Sequence, residues 1–169
     1  NKTVFPGLQG GPLMHHIAAK AVCFGEAATP KFQKYAAQII KNAHAMADVF
    51  LDNKIRLIAG GTDNHCILAD VYGSLGIGGK EAQTVLDEVG ITLNMNMIAE
   101  DPRKPMDPSG IRFGTPAITT RGFKEKECAQ VAELMIKVLR NKDDKKVKEA
   151  VHKEIKALAK AFPIPKSFV

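Results

Sequence analysis

One stretch decides the expected fold and site of this chain: Ser109-Gly110-Ile111-Arg112-Phe113-Gly114-Thr115-Pro116-Ala117-Ile118-Thr119-Thr120. The segment from Ile111 to Phe113 predicts a short strand, entered through a Pro-Ser-Gly turn and ended by Gly114 and Pro116. Because side chains alternate along a strand, Ile111 and Phe113 would face the core and Arg112 would point away from it. A guanidinium held in that direction suits a carboxylate or a phosphate, and the alternative is a solvated arginine on a polar strand face.

Composition predicts an ordinary soluble domain. The chain has 169 residues, of which 45% are apolar and 25% charged, enough for one hydrophobic core. Three cysteines without Cys-x-x-Cys spacing predict neither a disulfide framework nor a zinc site, and they favour a reducing, cytoplasmic location. We expect no membrane span, since no apolar run approaches the roughly 20 residues that one needs.

The net charge of +6 raises the question of an anionic partner. The excess lysines crowd the last helix, with few aromatic residues among them and no nucleic-acid signature. This pattern is more typical of a solvated helix face than of a binding surface. We therefore predict neither a nucleic-acid partner nor a membrane partner.

Hydrophobic spacing and turn residues predict an α/β fold with a small sheet packed by helices. The helix expected from Pro12 is apolar on most sides, which predicts burial between neighbours. The expected helices are 12–27, 30–53, 79–89 and two closing helices that end near 162, and the expected strands are 55–58, 66–71, 91–93 and 111–113.

Several polar segments are candidates for binding, and each has a plainer alternative. Gln9-Gly10-Gly11 precedes a helix, where free backbone N–H groups favour an anion, but a simple turn is the more common explanation. His15-His16 follows in the first helical turn, and an exposed helical pair is its alternative. Asn94-Met95-Asn96 follows a predicted strand, where a carboxamide can recognise donors and acceptors or cap a turn.

The order of three segments resembles the C-terminal part of the serine hydroxymethyltransferase family. The resemblance covers essentially the whole chain, and the matching runs have the expected separations. They are Val4-Phe5-Pro6-Gly7-Leu8-Gln9-Gly10-Gly11-Pro12-Leu13, Gly60-Gly61-Thr62-Asp63-Asn64-His65 and Ser109-Gly110-Ile111-Arg112-Phe113-Gly114-Thr115-Pro116-Ala117-Ile118-Thr119-Thr120-Arg121-Gly122.

The resemblance implies an α/β fold, namely the C-terminal small domain of the aspartate-aminotransferase-like (fold type I) pyridoxal-phosphate enzymes. It implies a transferase of one-carbon metabolism that interconverts serine and glycine. The cofactor would be pyridoxal 5'-phosphate, the co-substrate tetrahydrofolate, and the assembly a homodimer or tetramer. Residues 1–29 would be a remnant of the large cofactor domain and its connecting helix, and residues 30–169 the C-terminal small domain.

Residue roles follow from the same resemblance. Arg112 matches the arginine that holds the substrate carboxylate. Gly10 and Gly11 match the loop that reaches the cofactor phosphate of the other subunit. Asn96 and Phe5 match folate-side positions. His65 and Arg121 also occupy family positions, for which we expect structural roles.

One departure from the family pattern limits the expected activity. The Schiff-base lysine of the family lies in a Thr-His-Lys segment, and no such segment occurs in these 169 residues. The chain begins as if within a loop, so we expect it to be part of a longer protein and to be inactive alone, with no catalytic residue of its own. Without the large domain, the helix from Pro12 predicts either an oligomer or a displaced N-terminal segment.

Two alternatives remain open. The first is a β-hydroxy amino acid aldolase of the same fold, against which the folate-side segment at Asn94–Asn96 argues. The second is a non-catalytic module that binds an amino acid through Arg112, which calorimetry with glycine or serine would distinguish.

Overall fold

A computed structural model describes residues 1–166 and shows two compact units, one of residues 1–36 and one that starts at Ala37. The described residues form helices and a three-stranded sheet. In chain order the α-helices and strands are α1 (Met14–Ala27), α2 (Pro30–Asp52), β1 (Cys66–Asp70), α3 (Val71–Leu75), α4 (Gly79–Glu88), β2 (Asn94–Asn96), β3 (Gly110–Gly114), α5 (Pro116–Thr120), α6 (Glu125–Arg140) and α7 (Lys145–Ala161). A π-helical segment at Thr3–Leu8 and a 3-10 turn at Ile58–Gly60 complete the described elements.

The first unit holds an N-terminal arm, residues 1–13, helix α1 and the first residues of α2. The helix starts at Met14, two residues later than predicted, because the Leu13 carbonyl accepts its first hydrogen bonds, from His16 and Ile17. No residue of α1 is buried. Its apolar side chains are present as expected, but the burial predicted for them is not found among residues 1–166.

The sheet of the second unit is antiparallel, with β3 between β1 and β2. Ile111 is completely buried, and the half-buried Phe113 packs on Phe50 of α2 with ring centroids 5.1 Å apart. Arg112, between them, is exposed. The prediction for this strand is confirmed, since alternation is a local property of extended backbone that needs no knowledge of the partner strands.

Helices α4, α6 and α7 contribute apolar stripes to the core. The stripe of α6 is the clearest, because its inward residues recur every three or four positions with at most 1% exposure: Cys128, Ala132, Met135 and Leu139. Burying a side chain the size of leucine or methionine stabilises a fold by about 1.5–3 kcal/mol. The Glu127 carboxylate accepts the Lys124 N–H at 3.0 Å and so helps to begin α6.

Two predicted strands are wrong. Of residues 55–58 only Leu57 pairs, in an isolated bridge to Ala69, because the backbone then turns through Ala59 and Gly60 with φ of 63° and 75°. Of residues 91–93 none is in a strand, since the Ile91 N–H still bonds to the Leu86 carbonyl at the end of α4. The strand forms instead at Asn94–Asn96, where asparagines conceal the strand signal.

Two short helices were not predicted. The Asp70 carboxylate accepts the Gly73 N–H at 2.7 Å and starts α3, and Gly76 ends it at φ 71°. Pro116 was expected to stop regular structure, and here it opens α5 instead. Proline at the first helical position has no intrahelical N–H bond to lose, which is the physical reason for this correction.

The thiols provide a test of the core. Burial raises the pKa of Cys128 to about 12, with Glu127 and Glu125 adding to it, whereas Cys23 is exposed. Because the thiolate is the nucleophile, we expect iodoacetamide at pH 8 to modify Cys128 about 100-fold more slowly than Cys23 in the folded chain. Peptide mass spectrometry measures both rates. Comparable rates would contradict the packing of α6, and urea should equalise them.

Candidate functional site

The outer face of the sheet carries Arg112, the candidate carboxylate anchor. Its neighbours on that face of β3 are Gly110 and Gly114, so the guanidinium is the one side chain beyond Cβ that this strand projects outward. The side chain is exposed and has no hydrogen-bond or ion-pair partner among residues 1–166. A guanidinium in this state keeps its donors available for a planar two-oxygen group.

The register sets the neighbours of Arg112 across the sheet. Leu68 of β1 and Asn94 of β2 lie directly opposite it on either side. Residues opposite one another in an antiparallel pair share a face, with Cβ atoms about 4.5–5.5 Å apart. An apolar side chain and an exposed carboxamide therefore flank the cation.

Asn96, the candidate folate residue, lies at the end of β2 opposite Gly110. Its Nδ2 donates to the carbonyl oxygen of Met97 at 2.6 Å. Gly110 has no room for a side chain, because a Cβ there would lie 2.8 Å from the Asn96 carbonyl oxygen. The structure thus places Arg112 and Asn96 on adjacent strands of one face, and it adds Asn94, whose place beside Arg112 depends on a pairing that the sequence does not reveal.

Strand β2 has two external supports. On its free edge the Met95 N–H donates to Oε1 of Gln83, on α4, at 2.8 Å. At its end, Asp101 accepts the N–H of Ile98 at 3.1 Å. The same carboxylate accepts the Arg103 N–H at 2.9 Å, the Ser109 N–H at 2.9 Å and the Ser109 Oγ–H at 2.6 Å. Asp101 thereby joins the exit of β2 to the residue before β3.

These bonds change the acidity of Asp101. Desolvation raises its pKa, but the hydrogen bonds from Ser109, Arg103 and Ile98 outweigh that effect and lower the pKa from 3.8 to about 2. A carboxylate that accepts several N–H bonds is stabilised in its charged form.

The lowered pKa of Asp101 predicts that the chain loses part of its free energy of unfolding in acid. Since the folded pKa is lowered, the stabilisation by Asp101 is fully present above pH 3.8 and is lost as the pH falls toward 2. We expect Asp101→Asn to lower the free energy of unfolding by about 1–3 kcal/mol at pH 6, with a smaller difference from the unmodified chain at pH 2.5. Urea titrations at both pH values measure it. A difference that does not shrink in acid would contradict the assignment.

The N-terminal arm holds the other three candidates. Phe5 is 64% exposed, and a Cβ added at Gly10 or Gly11 would have no atom within 4 Å. The N–H groups of both glycines have no backbone partner among residues 1–166. They are donors that an anion can use, so this arm suits a phosphate group, and the two histidines expected nearby pack together at 4.3 Å between ring centroids.

Two further family positions have structural contacts. The His65 carbonyl accepts the Thr115 N–H at 3.2 Å, which fixes the turn after β3. Arg121 donates from Nε to the Phe162 carbonyl at 2.6 Å and from a terminal nitrogen to the Ala159 carbonyl at 2.7 Å, so it caps the end of α7. These contacts are structural ones, and the roles of both residues stay predictions.

Within residues 1–166 no three His, Cys, Asp or Glu side chains converge as a metal site would require. The helices in that part of the chain include none that is long and apolar enough to cross a membrane.

Arg112, Asn94 and Asn96 thus lie on one face of the three-stranded sheet of a small α/β domain. The family model described as serine hydroxymethyltransferase matches residues 1–135. This chain belongs to that family, and the fold predicted from the resemblance is confirmed.

Two relatives agree with the family match. A serine hydroxymethyltransferase from Rhodopirellula baltica is 49% identical over 165 residues, and one from Methanospirillum hungatei is 48% identical over 164 residues. These matches cover 98% and 97% of this chain. The chain spans 39% of the length of each relative. The roles of the individual site residues stay predictions.

Proposed function

We propose that this chain is part of a pyridoxal-phosphate-dependent enzyme that interconverts serine and glycine and passes the one-carbon unit to tetrahydrofolate. The observation that supports this most is the free guanidinium of Arg112 on the outer face of β3, in a chain of the serine hydroxymethyltransferase family. An amino-acid substrate always presents a carboxylate, and that group fits the arginine.

Arg112 is assigned the substrate carboxylate. Two parallel N–H···O bonds would fix the orientation of the substrate as well as hold it, which a lysine could not do equally well. Leu68 lies directly opposite Arg112 on β1 and places an apolar side chain beside the guanidinium. An apolar neighbour lowers the local dielectric, which would strengthen a charge pair there.

The cofactor phosphate is assigned to the N–H groups of Gly10 and Gly11. Pyridoxal phosphate, when bound, supplies an electron sink for breaking bonds at the α-carbon of an amino acid. The folate co-substrate is assigned to Asn96, through its carboxamide, and to the exposed ring of Phe5. These roles rest on the family resemblance, together with the exposure of Phe5, Gly10 and Gly11 and the partial exposure of Asn96.

The chain alone is proposed to be inactive. Its 169 residues contain no Thr-His-Lys segment, in which the family places its cofactor lysine. We assign residues 1–29 to the large cofactor domain and its connecting helix, and residues 30–169 to the C-terminal small domain. A homodimer or tetramer and a cytoplasmic location complete the proposal, with serine, glycine and folate as its small-molecule partners.

A chimera tests the function. The segment of the Rhodopirellula baltica relative that aligns with this chain is replaced by this chain, and glycine formation from serine is measured with pyridoxal phosphate and tetrahydrofolate. We expect an active chimera, in which Arg112→Ala lowers kcat/KM for serine about 1,000-fold and Arg112→Lys recovers part of the loss. The isolated chain should form no glycine under the same conditions.

The matched control is Lys153→Ala, which removes an exposed cation on α7 and should leave kcat/KM unchanged. A folded chimera without activity would count against the function. An Arg112→Ala chimera as active as the unmodified one would remove the arginine from the site.

A further inference from the structure

Strand β2 forms few backbone hydrogen bonds to the sheet, although it carries Asn94 and Asn96 beside Arg112. It has three residues and lies at the edge of the sheet, whereas β1 pairs with β3 over five residues. Because a one-residue slip moves every side chain of a strand to the opposite face, β2 needs something besides its own ladder to fix its register.

The connection between β2 and β3 does not supply that support through regular structure. Residues 97–109 form neither helix nor extended strand, and they contain Pro102, Pro105 and Pro108. One isolated bridge, between Lys104 and Asp107, lies within the connection and does not reach β2.

Asp101 supplies such a constraint at the end of the strand, in addition to the Gln83 bond to Met95 on its free edge. Its carboxylate bonds at once to Ile98, two residues after β2, and to Ser109, the residue before β3. Ser109 is 1% exposed and Ile98 is 9% exposed, so both ends of this clamp lie in packed surroundings. A carboxylate that bridges the two ends holds Asn96 opposite Gly110 and Asn94 opposite Arg112.

The middle of the connection is fastened separately. The Arg103 guanidinium lies 4.4 Å from the ring centroid of Tyr72, on α3, and bonds to Asp107. Asp101 also accepts the Arg103 N–H, so the clamp is tied to α3 as well as to the two strands.

We infer that Asp101 is a positioning residue that holds Asn94 and Asn96 in place against Arg112, and so sets the fit of the co-substrate rather than of serine. The inference rests on the proposed function. Arg112 keeps its place without Asp101, since β3 remains paired with β1 over its whole length. The asparagines on β2 have no such second strand.

Kinetics in the chimera test the consequence. We expect Asp101→Ala to raise KM for tetrahydrofolate about 10-fold or more, while KM for serine changes less than about 3-fold. Ser109→Ala removes one of the four bonds and should act in the same direction to a smaller extent. Glu100→Ala, a neighbouring exposed carboxylate without a described bond to either strand, is the matched control and should change neither value.

Amide hydrogen exchange in the chain itself provides a readout that needs no ligand. Asp101→Ala should speed exchange of the Asn94, Asn96 and Ile98 amides about 10-fold or more, and leave the amides of Ile67 and Ala69 in β1 unchanged. Equal acceleration of amide exchange in β1 and β2 would show that Asp101 has a merely structural role, and it would overturn the inference. Unchanged amide exchange would also overturn it, as would equal rises of the KM values for serine and tetrahydrofolate.

The chimera kinetics and the amide hydrogen exchange test the proposed function and the positioning role of Asp101 independently. An inactive chimera with the unmodified chain would defeat the proposed function alone, while local exchange at β2 would still support the clamp by Asp101. An active chimera whose folate KM is insensitive to Asp101→Ala would defeat the positioning role alone.

Discussion

Gly79→Ala will destabilise the second unit by about 3 kcal/mol or more, although alanine is the better helix former. A Cβ on Gly79 would overlap the carbonyl oxygen of Gly110 and lie 2.9 Å from that of Pro108. Both contacts are with backbone, which cannot rotate out of the way. The gain in helix propensity is about 1 kcal/mol, so the steric effect decides the sign.

The close approach also connects Gly79 to the site. The Gly79 N–H donates to the Pro108 carbonyl at 2.6 Å, which holds the start of α4 against the segment that enters β3. Any shift that admits the new methyl group must therefore move Gly110, two residues from Arg112. We expect altered amide chemical shifts along β3 in whatever fraction of the variant still folds.

Urea unfolding, followed by circular dichroism, measures the change in stability. Gly25→Ala is the matched control, because Gly25 is also helical and a Cβ added there would have no atom within 4 Å. That variant should be neutral or slightly stabilising. If Gly79→Ala proved as stable as the unmodified chain, the packing of α4 on β3 would be wrong.

Asn42→Asp will destabilise the same unit by about 3–5 kcal/mol at neutral pH. Asn42 is completely buried in α2. Its Nδ2 donates to the Thr119 hydroxyl at 2.8 Å and to the Phe123 carbonyl at 3.0 Å, and its Oδ1 accepts from Gln38 at 2.8 Å. A carboxylate would place a negative oxygen against the Phe123 carbonyl and would leave that acceptor without a donor.

The pH dependence distinguishes charge from shape. Burial next to an acceptor will raise the pKa of the introduced carboxyl in the folded state, so the destabilisation by charge grows as the pH rises above its unfolded pKa of about 4. As the pH falls through the raised pKa, the carboxyl regains a proton to donate and the loss diminishes. We expect a smaller difference between the variant and the unmodified chain at pH 4.5 than at pH 7.5.

Asn64→Asp is the control, since Asn64 is exposed and its Oδ1 accepts the Cys66 N–H at 2.7 Å, a bond that a carboxylate can also accept. It should change the unfolding free energy by less than about 0.5 kcal/mol at either pH. A loss for Asn42→Asp that is the same at both pH values would show that the new charge is solvated, contrary to the burial of this position.

The sequence was sufficient where the deciding interactions are local. The inward Ile111 and the outward Arg112 follow from alternation, and the apolar stripe of α6 follows from helical spacing. The resemblance to the family rests on short runs of residues, and the fold class was predicted from that resemblance. The burial of Asn42 was also predictable from the sequence, because Asn42 lies on the apolar stripe of α2 between Ile39 and Met46. A polar residue in such a stripe indicates a buried hydrogen-bond network.

The remaining features depend on partners far along the chain. The Asn94–Asn96 strand has poor intrinsic strand propensity and exists because it pairs with β3. The bonds of Asp101 join residues up to eight positions apart across an irregular connection. A proline can end one element or begin the next, and the sequence around Pro116 does not decide between the two; in the structure Pro116 takes the first position of α5.

The two glycines that accompany Arg112 on the outer face of β3 have an evolutionary consequence. Because that strand projects a single side chain beyond Cβ outward, the charge of its outer face is specified by one codon. The hydrogen-bonded framework around it, with Asp101, Gln83 and Asn42 at separate points, does not depend on that codon. A single mutation at Arg112 can therefore change the charge of this strand's outer face while the scaffold persists.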